Sequence, residues 1–366
     1  MRATHLFTCL TAIAIAAAAP SPSSRTRSPL LYPQTKFKLE PLRAIRIFVR
    51  EGSSEVPHSY SQLYGTSVRA VHGPGDGNRV QSSAQAHALL VTSLAAASPT
   101  MHASGVVLSD ATKELTSHAL SFFLGWKRMC LNTARQPGCQ RVEPNSFSCG
   151  DNRGSQTPRY PCLPHRNWNS TLDGNVGNPG TASDADADAI LAMIILVIRF
   201  ENKNQPWWYE VGQWAYDSCK AFLHFDTELA EDGSEERIVR LGACRGGWAC
   251  TNPAFSSPAH YRVFDAFLRD YEFVFGDGKE EAEELYTPMW TQLVQTSYKV
   301  LKAAQSPSTG LFIDSLIPGE PARVAESGTV SDTCHGEQSP PGEFGDEASR
   351  IAWRLWLDYA WFNKDQ

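Results

Sequence analysis

The stretch GTASDADADAILAMIILV, residues 180–197, decides the fold of this chain. Its second part, from Ala189 to Val197, is apolar on every face of a helix, so such a helix must be surrounded by other helices. The apolar run is too short to cross a bilayer. A helix ringed by helices is what the inner layer of an α/α barrel provides. The stretch therefore predicts an all-α fold built around a buried helix over residues 184–200.

Helical periodicity extends through most of the chain. Segments of helical length and period lie at 83–97, 110–132, 207–225, 258–275, 279–304 and 346–362. The amphipathic segments 207–225 and 279–304 suit an outer layer, and Asp110 and Ser183 are candidate N-caps. Alternating strands are few, and Ile45 to Arg50 is the best of them. These patterns predict one all-α domain.

The N-terminal sequence, the net charge and the cysteine count indicate the cellular compartment and the class of binding partner. Arg2 followed by the apolar run Leu6 to Ala19 predicts a signal peptide over 1–19. A Pro-, Ser- and Arg-rich linker over 20–44 and a single domain over 45–366 then follow. The net charge of −6 argues against a nucleic-acid partner. Eight cysteines remain after Cys9 is removed, which suits a secreted, extracellular protein with up to four disulfides.

Three carboxylates open the buried helix. Asp184, Asp186 and Asp188 stand at i, i+2 and i+4, so Asp184 and Asp188 share a face. Stabilisation of the helix N-terminus is one interpretation. A calcium loop is excluded because its sixth and twelfth positions would be Ala189 and Ile195. No Cys-x-x-Cys pair indicates zinc, and we expect no metal and no cofactor.

A second polar cluster lies near the end of the chain. The stretch FGDEASRIAWR, residues 344–354, sets an acidic pair, two arginines and two aromatic rings on the first turns of a helix. Carboxylates fixed beside guanidinium groups and flat rings are typical of a carbohydrate-processing cleft. The alternative is an acidic helix start, in which Arg350 pairs with a carboxylate one turn away.

Three ordered motifs resemble those of glycoside hydrolase family 8, in the six-hairpin glycosidase-like superfamily. Residues 182–188, ASDADAD, are similar to Ala-Thr-Asp-Ala-Asp-x-Asp. Residues 248–262, WACTNPAFSSPAHYR, are similar to Leu-Asn-Pro-Ser-Tyr-Phe-x-Pro-x-Tyr-Arg. Residues 344–354 are similar to Tyr-Asp-Ala-Ser-Arg-x-Pro-Trp-Arg. The resemblance implies a single-domain (α/α)6 barrel that hydrolyses a β-1,4-glycan such as cellulose, xylan or chitosan with inversion.

The resemblance also implies roles for individual residues. Asp184 matches the aspartate that holds the distorted sugar in the −1 subsite. Glu347 matches the general base, with Asp346 just before it as a second candidate, and Arg350 would hold a carboxylate or a sugar hydroxyl. Further substrate-binding positions implied by the motifs are Gln85, Asp188, Trp248, Asn252, Tyr261 and Trp353.

The family's general acid lies in Ser-Glu-Gly-Gln-x-Tyr-Gly-Met, and here the sequence departs from it. Residues 81–89 read QSSAQAHAL, which puts Ser83 at the acid position. A serine hydroxyl does not protonate a leaving oxygen near neutral pH, and loss of a general acid costs about 10²- to 10⁴-fold in rate. His87, one turn later, is a substitute candidate. Otherwise the protein is a glycan-binding pseudoenzyme, or the sequence over 50–105 is a misread gene model.

Two other hydrolytic or lytic classes fit less well. A six-hairpin polysaccharide lyase would need Tyr or His with Arg, which Tyr261 and Arg262 could supply. A serine hydrolase is not indicated because no Gly-x-Ser-x-Gly elbow is present. We expect a monomer whose partner is a polysaccharide, with no membrane contact after signal cleavage.

Overall fold

The computed structural model describes residues 40–73, 79–97, 110–134, 163–176, 180–199, 202–243, 245–276, 282–318, 323–324 and 347–362. Their helices, in chain order, are α1 Glu40–Glu51, α2 Ser82–Ala97, α3 Asp110–Ala134, α4 Ser183–Ile198, α5 Trp208–Phe225, α6 Pro258–Asp270, α7 Glu272–Phe275, α8 Thr287–Ala304 and α9 Ser349–Phe362. A 3-10 turn, Pro253–Phe255, precedes α6, and a π-helical turn, Ala282–Tyr286, leads into α8.

The helices alternate between two layers. The inner helices α2, α4, α6 and α9 pack in that order, each against the next. The outer helices α3 and α5 pack against α2 and α4, and α8 packs against α6. This alternation is that of an α/α barrel, so the all-α prediction is confirmed, as is the outer placement of the segments 207–225 and 279–304.

The helix that decides the fold is buried as expected. From Ser183 to Val197 every side chain of α4 is buried, because α2, α5 and α6 surround it. The predicted N-caps are one place off. Ser183 and Asp110 are the first helical residues of α4 and α3, and the cap of α4 is Ala182, which has no side chain able to bond the helix N-terminus.

The predicted strand from Ile45 to Arg50 is wrong, since these residues lie within α1. Ile45, Phe48 and Val49 are buried while Arg46 and Arg50 are exposed. That spacing has the helical period of 3.6 residues, and the β-branched residues sit on the side that faces the core. Helix α1 begins at Glu40, so helical structure starts inside the segment that the sequence assigns to a linker.

Short antiparallel sheets lie between the helices. Their strands are β1 Ser53–Ser61 with β2 Thr66–Val71, β3 Arg79–Gln81 with β4 Asn167–Asn169, β5 Thr227–Leu229 with β6 Arg237–Val239, and β7 Leu316–Ile317 with β8 Arg323–Val324. Each sheet has two strands, in registers such as Val80 opposite Trp168. These small sheets therefore connect and cover the helices and form no layer of their own.

Two cysteines reduce the maximum of four disulfides that the even count allows. Cys130 on α3 and Cys219 on α5 are free and buried. Burial raises the pKa of both thiols well above its ordinary value. Two of the eight cysteines are thus unpaired. Six cysteines remain, so the maximum number of disulfides falls from four to three. In the part of the chain that the structure describes, no helix is long and apolar enough to cross a membrane.

Candidate active site

The helices that carry the predicted site start at one end of the barrel. The backbone N–H of Ser82, at the start of α2, donates to the carbonyl of Arg166 at 2.8 Å. The N–H of Arg166 donates in turn to the carbonyl of Gly180, just before α4, also at 2.8 Å. The segment through Arg166 thus joins the two helix N-termini. Helices α2 and α4 therefore run parallel, and residues at matching depths face each other.

Residues four apart on the inner helices form two layers. The lower layer is His87 of α2, Asp188 of α4, His260 of α6 and Arg354 of α9. His87 Nδ1 lies 3.2 Å from Asp188 Oδ2, and His260 Nε2 lies 3.0 Å from Asp188 Oδ1. Arg354 Nη2 is 3.3 Å from the same carboxylate, and its other amino group bonds the hydroxyl of Ser257. Asp188, His260 and Arg354 are completely buried, so this layer is the floor of the site.

Electrostatics in the lower layer favour one charged pair. Burial would raise the pKa of Asp188, but the charge of Arg354 and the hydrogen bond of His260 hold it below its usual range. Burial lowers the pKa of His87 to about 4, and the charges of Arg350 and Arg354 add to this while Asp188 opposes it. Near neutral pH, Asp188 and Arg354 are therefore ionised and His87 is neutral.

The upper layer lies one helical turn closer to the helix N-termini. It consists of Ser83, Asp184, Arg350 and Glu347. One amino group of Arg350 bonds Asp184 Oδ2, and the other donates to Glu347 Oε1 at 2.8 Å. Side-chain exposure is 31% for Glu347 and 23% for Arg350, so this layer is open to solvent. Burial would lower the pKa of Arg350, but the two carboxylates it binds raise it. The predicted convergence of Asp184, Glu347 and Arg350 is thus present.

Ser83 occupies the upper layer beside Asp184. It precedes His87 by four residues on α2, as Asp184 precedes Asp188 on α4, and the lower pair is in contact. On parallel helices the residues one turn earlier then also face each other. Ser83 is partly exposed in the first turn of α2. A side chain at this position therefore reaches the mouth of the site, and in this chain it brings a hydroxyl and no carboxyl group.

The prediction that Gln85 binds substrate is wrong, because its side chain hydrogen-bonds to backbone groups inside the fold. Its side-chain oxygen accepts from the N–H of Val71 at 3.0 Å, and its amide nitrogen donates to the carbonyls of Arg69 and Phe122 at 2.9 Å. The side chain is completely buried, so no sugar reaches it. Helix α3 crosses so closely that a Cβ on Gly125 would lie 2.3 Å from the Gln85 amide nitrogen.

We expect Gln85→Ala to lower the free energy of unfolding by about 3 kcal/mol, because it leaves buried backbone groups of β2 and α3 without partners. Urea unfolding measures the change. Gln295→Ala, on an exposed face of α8, is the matched control and should stay within about 0.5 kcal/mol. An equal and small effect of both substitutions would contradict the structural role.

Three other predicted substrate contacts are also buried in the fold. Asp188 belongs to the floor described above. The side chain of Asn252 is completely buried and accepts from the N–H of Ala254 at 2.9 Å, which caps the 3-10 turn. The hydroxyl of Tyr261 donates to the carbonyl of Phe255 at 3.0 Å, and its ring stacks on Trp290 within the core. The motif around Asn252 and Tyr261 thus shapes the start of α6.

Of the three remaining predicted residues, one supports the site, one lies elsewhere in the fold and one is outside the described residues. Trp353 is 8% exposed and packs edge-on against His87, with ring centres 6.2 Å apart, so it supports the floor. Trp248 lies in a separate cluster against Ile238, Val300 and Leu316, and no described contact links it to the site. Asp346 falls outside the described residues.

The structure does not support Tyr261 and Arg262 as the catalytic pair of a polysaccharide lyase. Arg262 Nε donates to Asp358 at 3.0 Å, and the hydroxyl of Tyr298 bonds the same carboxylate. Since Tyr261 faces the core, neither residue of the pair contacts the upper layer in the described structure. Within the described segments, no three His, Cys, Asp or Glu side chains come together as a metal site.

The sequence reasoning missed two residues that build the floor. Arg354 lies four residues after Arg350, and that spacing was a usable signal for a second contact on the same helix face. His260 stands inside the quoted Asn-Pro motif, where only the fold shows that it reaches Asp188.

Comparison with known proteins gives distant relatives. No family model matches the chain. Endoglucanase A of Acetivibrio thermocellus is 24% identical over 204 residues, covering 54% of this chain and 34% of its own length. The reducing-end xylose-releasing exo-oligoxylanase Rex8A of Paenibacillus barcinonensis is 24% identical over 199 residues, covering 54% of this chain and 45% of its own. The chain thus spans about a third to a half of these relatives.

Solved structures agree on the fold. The β-1,3-1,4-glucanase of Paenibacillus sp. X4 superposes with a TM-score of 0.59 at 14% identity, over 93% of this chain and 71% of that one. Rex8A in complex with xylose gives 0.51 at 17% identity, over 90% and 68%. The predicted single-domain (α/α)6 barrel is confirmed, and the relatives are endoglucanases and an exo-oligoxylanase, the kinds of enzyme that the resemblance to glycoside hydrolase family 8 implies.

Proposed function

We propose that this chain is a secreted protein that binds a β-1,4-linked polysaccharide (cellulose, xylan or chitosan) at the upper layer and hydrolyses it with inversion. The observation that carries the proposal is the bridge from Arg350 to Asp184 and Glu347. It places two carboxylates at the solvent-exposed end of the inner helices, where a glycan chain has access. The endoglucanase and oligoxylanase relatives support a glycoside hydrolase role.

Each residue of the upper layer has a chemical task in this proposal. Glu347, the more exposed carboxylate, takes a proton from the water that attacks the anomeric carbon. Asp184, nearly buried, accepts a hydrogen bond from a hydroxyl of the distorted sugar and stabilises the positive charge that develops on the ring. Arg350 fixes both carboxylates in place. Inversion also requires a proton for the leaving oxygen on the opposite face of the sugar.

A second function, glycan binding with little turnover, has its own support. Ser83 stands at the acid position and has no acidic proton near neutral pH. His87 does not replace it there, because its pKa is lowered to about 4 and its Nδ1 is bound to Asp188. At neutral pH neither Ser83 at the start of α2 nor His87 one turn below it provides the proton. Substrates that need strong acid assistance would then turn over slowly.

Restoring a carboxyl group separates the two functions. We expect Ser83→Glu to raise reducing-sugar release from the preferred glycan about 10²- to 10⁴-fold, because the new carboxyl group lies at the mouth of the site and supplies the acidic proton that serine lacks. Carboxymethyl-cellulose, xylan and chitosan are assayed in parallel, and Ser83→Gln is the control of equal size without an acidic proton.

Each result has a definite meaning. A large gain in Ser83→Glu alone supports an intact cleft that lacks its acid. Substantial release by the native chain that disappears in His87→Ala would show that His87 donates the proton. No release and no oligosaccharide binding by any folded variant would overturn the assignment of this site.

A further inference from the structure

A second pair of carboxyl groups lies behind the site, between α4 and the end of α5. Asp186 is in the first turn of α4, and Asp226 directly follows α5. Both are completely buried. Their carboxyl groups lie close enough to act on each other, and a hydrogen bond between them requires that one of them is protonated. Neither belongs to the upper or lower layer, and the proposed reaction uses neither.

The surrounding hydrogen bonds supply too few protons for two ionised groups. The hydroxyl of Thr181 donates to Asp226 Oδ1 at 3.1 Å, and it accepts from the N–H of Ala243 at 2.6 Å. Among the described residues, no hydrogen-bond donor reaches either carboxyl oxygen of Asp186 or the Oδ2 atom of Asp226. A carboxylate buried without donors is very unfavourable, whereas one proton between two carboxyl groups satisfies an oxygen on each side.

The charges around the pair do not neutralise it. Burial raises the pKa of Asp186 well above its usual range, and the negative charges of Asp226 and Asp184 raise it further. Burial raises the pKa of Asp226 to about 7, although the neighbouring side chains of Asp186, Thr181 and Ser183 and the charge of Arg240 lower it. Four titratable or charged groups on neighbouring elements face the pair. They are Cys130 of α3, Asp184 of α4, Arg240 after β6 and Tyr261 of α6. Among these four described groups Arg240 is the cation, and it also pairs with Glu228 at 2.9 Å.

We propose that Asp186 and Asp226 share a proton at neutral pH, and that this bond positions the helical turn that carries Asp184. The bond ties the first turn of α4 to the end of α5. Asp184 lies two residues before Asp186 in that same turn, so a shift of Asp186 moves the carboxylate that Arg350 binds. Asp186 and Asp226 are thus positioning residues that make the upper layer sensitive to pH. The shared proton stands on the structure alone, while the link to glycan binding rests on the proposed function.

The direction of the pH effect follows from proton counting. An unfolded chain loses this proton near the ordinary aspartate pKa of about 4, whereas the folded chain keeps it to higher pH. The folded state therefore binds more protons between about pH 4 and 7, and its stability falls as the pH rises through that range. Each retained proton makes the unfolding equilibrium constant rise about tenfold per pH unit.

Asp226→Asn tests the shared proton, because the amide keeps the shape and donates a permanent N–H to Asp186. We expect the unfolding equilibrium constant of the native chain to rise at least tenfold more between pH 5 and 8 than that of Asp226→Asn, measured in urea. Asp270→Asn, at the exposed end of α6, is the control and should keep the native pH dependence. Infrared difference spectra should show a protonated carboxyl band that is lost in Asp226→Asn and kept in Asp270→Asn.

Glycan binding tests the link to the site. The affinity of the native chain for soluble β-1,4-oligosaccharides should fall above pH 7, and Asp226→Asn should bind with little change from pH 6 to 8. An Asp226→Asn protein with the native pH dependence of unfolding and the native carboxyl band would overturn the shared proton. A flattened unfolding profile without oligosaccharide binding by the native chain at any pH would support the shared proton and reject the proposed function.

Discussion

We expect Glu347→Gln to lower the rate of β-cellobiosyl fluoride hydrolysis about 10²- to 10⁴-fold. Fluoride leaves the anomeric carbon without a proton donor, so this substrate does not require the acid that Ser83 fails to supply. The rate then depends on the base that activates water, and glutamine cannot accept that proton. The hydrogen bond from Arg350 to the side-chain oxygen of residue 347 remains possible, so the substitution tests proton transfer more than position.

Two comparisons make the result decisive. Glu236→Gln removes a partly exposed carboxylate that pairs with Lys299, away from the site, and should leave the rate unchanged. Asp346→Asn tests the neighbouring acid. A loss confined to Glu347→Gln assigns the base to Glu347, a loss confined to Asp346→Asn assigns it to Asp346, and no loss in either variant removes both from the reaction.

The largest effect on stability is expected from the floor of the site. We expect Asp188→Asn to lower the free energy of unfolding by about 3–5 kcal/mol, because it leaves the charge of Arg354 buried without a counter-charge. His87 and His260 also lose the carboxylate that both contact. Chemical denaturation near pH 7 measures the loss, with Asp173→Asn as a control that removes only a surface pair with Arg128.

A double substitution checks the physical cause. Asp188→Asn combined with Arg354→Met removes both charges, so the pair should cost less than the sum of the single changes. If the costs simply add, the two side chains do not depend on each other, and the proposed charge pairing in the floor is wrong. A loss below about 1 kcal/mol for Asp188→Asn would also contradict it.

The fold was predictable because its strongest signal is local. The apolar run of α4 allows one arrangement, a helix enclosed by helices, and amphipathic periodicity places the other helices within a few residues. Ile45 to Arg50 was misassigned because its β-branched residues favour a strand in isolation, whereas packing of Ile45, Phe48 and Val49 on the core decides for a helix. Local preference and tertiary burial conflict in that segment, and burial determines the structure.

The site was predictable only in its upper layer. Asp184, Glu347 and Arg350 carry charge at helix starts, and their motif positions bring them together. Gln85 and Asn252 were misassigned because a motif does not state whether a polar side chain faces a groove or satisfies backbone groups inside the fold. The partnership of Asp186 with Asp226 had no sequence signal, since forty residues separate them and only the packing of α4 on α5 makes them neighbours.

The free thiols of Cys130 and Cys219 give the chain an asymmetry between its folded and unfolded forms. While the barrel is closed, these sulfurs are protonated and out of reach of oxidants. Once the helices separate in an oxidising solution, each thiol can exchange with any accessible disulfide. Non-native disulfide pairings then prevent refolding. In such a solution, the working lifetime of the protein is set by how rarely the barrel opens.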